Sequence, residues 1–166
     1  MAVYVIYTFS GNENKVAEKI RDLVLKPGED IYIPTYNRGK RIRGRYQVVN
    51  AILFPGYIFY ETEDAAYLKK RLRKITELTK LLESERYILP ISENEERLLY
   101  KLCGKEHILD ISTGYIEGGK VRVIKGPMMG LDALIKKVNR KKKTAVIEVE
   151  LLSRTMEITV GLDVID

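Results

Sequence analysis

Lys136, Lys137, Arg140, Lys141, Lys142 and Lys143 place six positive charges within eight residues, and no acid interrupts them. Such a cluster neutralises phosphates and displaces the counterions condensed on a nucleic acid, so the affinity it confers falls steeply with salt. Its lysines suit the backbone, while Asn139, Arg140 and Arg122 have the donors and acceptors for base edges in a distorted groove or loop. A solvated turn is the other reading of the same residues. A second basic run precedes it: Arg38, Lys40, Arg41, Arg43 and Arg45 bring five positive charges and no negative one to 36–45. That run suits nucleic acid or an acidic protein surface, and equally a flexible solvated loop.

Other chemistry has little to work with. Cys103 and His107 are the lone cysteine and histidine. The spacing puts one on a helix and the other in a linker, so a Cys-His nucleophilic pair would require the chain to fold back. One cysteine excludes an intrachain disulfide and a multi-cysteine zinc site, and fits a reducing compartment. Gly118-Gly119-Lys120 lacks the spacing of a phosphate-cradling loop, no dinucleotide fingerprint follows a strand, and Glu95-Glu96 are neighbours on a helix surface. The expectation is a protein that is not an enzyme, with no cofactor and no metal.

The elements that must position the two basic runs follow from hydrophobic period. Val3, Val5 and Tyr7 alternate with Tyr4, Ile6 and Thr8, which predicts a strand. Ser10 and Glu13 have capping-box spacing before Val16, Ile20, Leu23 and Val24, so a helix runs to Pro27-Gly28. A strand at 31–35 leads to the basic loop 36–45. Strands at 46–53 and 57–60 are broken at Phe54-Pro55-Gly56. From Asp64 the period allows one long helix through Leu82, or a helix ending near Lys74 with a short strand at 78–82. Ser92 and Glu95 repeat the capping-box spacing, which predicts a helix to Leu102 ended by Gly104. The period lapses over 104–119, as in a linker. Short strands at 121–124, 134–138, 145–151 and 156–160, and a last one near Val164, predict a small barrel, with Tyr115 lying before its first strand.

At 166 residues, with 45% hydrophobic and 31% charged residues, the chain has the composition of a globular protein of one or two small domains. Its 29 basic and 23 acidic residues give a formal charge of +6, and a pI near 9.3, which favours polyanions only if the charge is clustered. The apolar stretch 2–9 lacks the flanks of a signal peptide and is too short to span a bilayer, so a cytoplasmic protein with no membrane partner is expected.

Three segments together resemble the hallmarks of NusG-type transcription factors: Tyr4-Val5-Ile6-Tyr7-Thr8-Phe9-Ser10-Gly11, Phe54-Pro55-Gly56-Tyr57-Ile58-Phe59, and the KOW-like Gly119-Lys120-Val121-Arg122-Val123-Ile124-Lys125-Gly126-Pro127-Met128-Met129-Gly130. The resemblance covers essentially the whole chain. It implies an α+β protein: an N-terminal α/β domain at 1–103 whose antiparallel sheet is flanked by helices, a linker at 104–116, and a five-stranded KOW β-barrel at 117–166. It also implies binding to the clamp helices of RNA polymerase through Phe54, Pro55 and Tyr57, supported by Tyr4 and Phe9. Read from the residues alone, Phe54 and Tyr57 are core residues of the sheet. The expected nucleic-acid contacts of the barrel are Arg122, Lys125, Lys136, Lys137, Asn139, Arg140, Lys141, Lys142, Lys143 and Arg154. Arg38, Lys40, Arg41, Arg43 and Arg45 would touch upstream DNA or polymerase.

Departures from the family pattern are informative. The chain has Val3-Tyr4 where a Trp-Tyr pair is usual, and Ala133 where the KOW motif usually has Gly. Leu152-Ser153-Arg154 stands in place of the Phe-Gly-Arg offered to a ribosomal protein or to Rho. These changes look like a specialised paralogue. Leu78-Thr79-Lys80-Leu81-Leu82 and Gly130-Leu131-Asp132-Ala133-Leu134-Ile135 resemble the LoaP group, antiterminators whose barrel binds an RNA hairpin. The implied partners are RNA polymerase and nascent structured RNA, and the implied state a monomer. A general elongation factor with a protein-binding barrel and a ribosome-associated KOW protein are the alternatives.

Overall fold

The computed structural model describes residues 1–78 and 88–166. Beyond Leu78, the strand expected at 78–82 and the LoaP-like segment there lie outside the described residues. The chain forms two compact units, Met1–Ile33 with Phe54–Glu96, and Pro34–Leu53 with Arg97–Asp166.

In the first unit, strand β1 (Ala2–Tyr7) leads to helix α1 (Glu13–Leu23) and strand β2 (Asp30–Tyr32). The chain returns to it as β5 (Tyr57–Thr62), helix α2 (Ala65–Leu72) and β6 (Ile88–Pro90). The strand order is β2-β5-β1-β6, all antiparallel. Alternation assigns Ile6, Ile58 and Tyr60 to the face that α1 and α2 cover with Val16, Ile20, Leu68 and Leu72, and all of these are fully buried. Each such side chain contributes about 1.5–3 kcal/mol. The opposite face is buried too, at the paired Val5 and Phe59. A 3₁₀ turn, Thr76–Leu78, follows α2, which stops at Leu72 with Arg73 as its C-cap, close to the shorter of the two expected lengths.

The first predicted capping box does not form. The residue before α1 is Asn12, which makes no side-chain cap, and the Glu13 carboxylate turns elsewhere. At the second, Ser92 Oγ does cap the helix, accepting the Glu95 N–H at 3.2 Å as α3 (Glu93–Cys103) begins, and Gly104 ends it with φ +65°.

In the second unit, 36–45 is not a loop. It belongs to a hairpin, β3 (Thr35–Ile42) and β4 (Arg45–Ile52), closed by the two-residue turn Arg43-Gly44 at φ 53° and 77°. Positive φ at both central positions matches the turn twist to the strand twist. The predicted linker carries β7 (Ile108–Leu109), which pairs parallel with β3, and β8 (Ser112–Glu117), so Tyr115 sits inside a strand. With β9 (Lys120–Lys125), β10 (Ile135–Asn139), β11 (Thr144–Leu151) and β12 (Arg154–Val164), β8 makes a five-stranded sheet of order β10-β11-β12-β8-β9. Residues 156–160 and Val164, expected as two strands, are one long strand. The sheet curls so that its edge strands β9 and β10 line one depression, around Ala145, Ile147, Val160 and Leu162, each no more than 1% exposed.

Candidate nucleic-acid interface

Gly161 in β12 explains how the hairpin meets the barrel. A Cβ on Gly161 would stand 2.0 Å from the Asn37 carbonyl oxygen, so only glycine lets the β3 backbone cross β12 this closely. Tyr46 fastens the crossing: its ring lies over Gly39, and its hydroxyl donates to Asp163 Oδ2 at 2.8 Å. Lys143 Nζ approaches the same carboxylate at 3.9 Å and lies 5.7 Å from the Tyr46 ring centre. The Arg38 guanidinium donates to the Lys142 carbonyl at 3.2 Å, joining β3 to the β10–β11 turn. Within that turn the Lys142 N–H donates to Asn139 Oδ1 at 2.9 Å.

Between hairpin and turn lies a cleft of about 1140 Å³. Arg38, Lys40 and Arg41 line one wall; Lys137, Arg140, Lys141, Lys142 and Lys143 line the other, and no lining residue is acidic. The two basic runs, expected in different domains, thus share one site. Asn139 is there as well, its Oδ1 capping the turn. Arg140 pairs with Asp166 at 3.0 Å, but both side chains are exposed and the pair is worth little. Arg43 and Arg45 lie at the hairpin tip, outside the lining.

Arg122 and Lys136 belong instead to the depression of about 690 Å³ between β9 and β10, which Lys137 also lines. Lys125 ends β9, and Arg154 follows the β11–β12 turn, at the other end of β11 from the cationic turn. Ala133 sits in a 3₁₀ turn, outside the positive-φ positions. Sequence reasoning missed Tyr36, which lines the cationic cleft, and the Gly161–Tyr46–Asp163 clasp. A glycine inside a strand pattern was the available signal.

The Phe-Pro-Gly segment has a different character. Phe54 is 1% and Tyr57 7% exposed, and their rings stack at 6.0 Å. Tyr57 meets Tyr7 edge-on, and Phe54 meets Phe59. Pro55 and Phe9 are exposed, Phe9 by 59%, while Tyr4 is half-buried. The loop after β1 and the turn before β5 lie side by side, because the Thr8 N–H donates to the Gly56 carbonyl and Glu13 accepts the N–H groups of both Gly11 and Gly56 at 2.7 and 2.8 Å. Burial pushes the Glu13 carboxyl up, yet those N–H groups and its own outweigh it and hold it below the usual range.

A family model described as transcription termination factor nusG matches residues 1–99. The chain belongs to the NusG family. The transcription termination/antitermination protein NusG of Bacillus subtilis (strain 168) is 26% identical over 172 residues, covering 98% of this chain and 96% of the relative. That of Lactococcus lactis subsp. lactis (strain IL1403) is 26% identical over 157 residues, with 87% and 82% covered. That of Treponema pallidum (strain Nichols) is 25% identical over 174 residues, with 96% and 94% covered. The fold is accordingly that of a NusG α/β domain with a curled KOW sheet, and the chain is a transcription factor rather than an enzyme. Burial pushes the Cys103 thiol up to about 12. No helix among the described residues is long and apolar enough to cross a membrane.

Proposed function

We propose that this NusG-family protein is a cytoplasmic processive antitermination factor of the LoaP kind, monomeric, holding RNA polymerase with its N-terminal domain and a structured nascent RNA with its KOW domain. The cationic cleft carries the RNA half of this reading. Its lining cations lack carboxylates among them, and lysines on an ordered turn suit a phosphate backbone.

For polymerase, the surface on offer at the clamp-binding turn is Phe9 and Pro55, while Tyr4 lies farther along β1, half-buried against the helix-covered core. Phe54 and Tyr57 form its buried floor. Phe54→Ala is therefore a stability variant, costing about 3–5 kcal/mol. Phe9→Ala is the variant that removes contact without removing core. Gripping the clamp favours the elongating conformation by differential binding, and the tethered barrel keeps its RNA at high effective concentration.

The test is binding of the full chain to an RNA stem–loop across a salt series, beside Lys141→Ala/Lys142→Ala/Lys143→Ala. The expected wild-type log–log slope is several times −0.7 to −0.9, one such increment per phosphate neutralised, and the variant loses roughly three increments. Binding that neither depends on salt nor suffers from the variant would move the barrel's role to a protein partner, as in a general elongation factor.

A further inference from the structure

We infer that the RNA site is composite: one stretch of phosphate backbone lies in the cleft and is held at once by Lys40 and Arg41 of the β3 strand and by Lys141 and Lys142 of the β10–β11 turn. This deepens the RNA-binding reading above and rests on it. It reassigns a basic run whose sequence position suggested DNA or polymerase.

Three observations carry it. First, both walls belong to one compact unit, and the crossing that joins them is over-determined: Gly161 under Asn37, Tyr46 on Asp163, and Arg38 on the Lys142 carbonyl. The walls are preorganised, so a ligand spanning them has little left to order. Second, two acids beside the cleft are engaged by other cations. Asp163 and Asp166 engage Lys143 and Arg140, whereas Lys40, Arg41, Lys141 and Lys142 make no ion pair among the described residues. Unpaired like charges lining one cleft repel, and a polyanion held in it removes that repulsion. Third, Tyr36, Val138, Ala145 and Val146 line the cleft among the cations. That gives a ribose or base edge apolar surface to lie against.

Full-length protein is titrated with an RNA stem–loop over a salt series in four forms: wild type, Lys40→Ala/Arg41→Ala, Lys141→Ala/Lys142→Ala, and Lys15→Ala/Lys70→Ala. The last removes equal charge from exposed helical positions outside the cleft. The expected result is that the hairpin pair and the turn pair each weaken binding at least about 10-fold at moderate salt and flatten the slope by roughly 1.5, while the helix pair leaves both near wild type. Lys40→Arg/Arg41→Lys, which keeps the charge, should retain binding, and this separates lost charge from a disturbed hairpin. If only the turn pair matters and the hairpin pair behaves like the helix pair, the composite site is wrong and the barrel binds alone. If wild type binds no RNA, or polyglutamate displaces the RNA at equal charge concentration, the RNA reading itself falls and the composite site with it.

Discussion

At the residue scale, two features are strained or buried in ways with measurable consequences. Leu152 and Ser153 close the β11–β12 turn with φ of 58° and 60°, the left-handed region that costs a side chain about 1 kcal/mol. Ser153→Gly is expected to raise stability by about 0.5–1 kcal/mol, seen as a higher midpoint in thermal or denaturant unfolding without loss of RNA binding. Glu29 shows the opposite case. It accepts both Arg71 Nη groups at 2.9 and 3.0 Å and the hydroxyls of Tyr60 and Thr62. Burial pushes its carboxyl up, but these donors and the Lys26 N–H outweigh burial and hold it at about 2. A depressed folded-state pKa gives stability that is full above the unfolded value and lost as pH falls. Stability should therefore drop between about pH 4.5 and 2, and Glu29→Gln should flatten that part of the profile while costing about 3 kcal/mol at neutral pH. None of this was legible in the sequence, since Glu29 and Arg71 stand 42 positions apart and meet only through the sheet. The cationic runs were legible, because charge density needs no fold to be read.

At the element scale, the strands and helices with strong apolar period came through: β1, α1, β5, α3, β9 and β11 lie close to where spacing put them. The misreadings share a cause. The basic segment 36–45 has few apolar residues because its strands form a hairpin with one face on β12 and much of the other in solvent, so alternation is hidden under arginines. β8 was mistaken for linker because Ser112, Thr113 and Gly114 carry no apolar alternation, yet Ser112 is fully buried and its Oγ accepts the Met128 N–H. The clasp between hairpin and barrel makes a direct prediction. Gly161→Ala forces a Cβ against the Asn37 carbonyl and should cost about 1–3 kcal/mol. Hydrogen exchange should then quicken in β3 and β4, with β11 keeping its protection. Unchanged exchange in the hairpin would mean that the close approach does not hold it.

At the scale of the whole molecule, a NusG-family fold joins an N-terminal α/β sheet and a KOW-like curled sheet, and a cationic cleft lies between a hairpin and a barrel turn of one compact unit. The family's fold was legible from three short motifs. The cleft was not, since its two walls are about a hundred residues apart in sequence and meet through the crossing of β3 over β12 and the Arg38–Lys142 contact. The exposed Phe9 and Pro55 beside a buried Phe54 predict that Phe9→Ala weakens co-elution with RNA polymerase while leaving the unfolding midpoint within a few degrees of wild type. If RNA held in the cleft directs polymerase past terminators, single-round transcription through an intrinsic terminator will show it, on templates whose leader does or does not encode an RNA stem–loop. Readthrough should rise only with the stem–loop and be lost in Lys141→Ala/Lys142→Ala/Lys143→Ala; readthrough equal on both templates, or unaffected by the variant, would contradict a role for the cleft in antitermination.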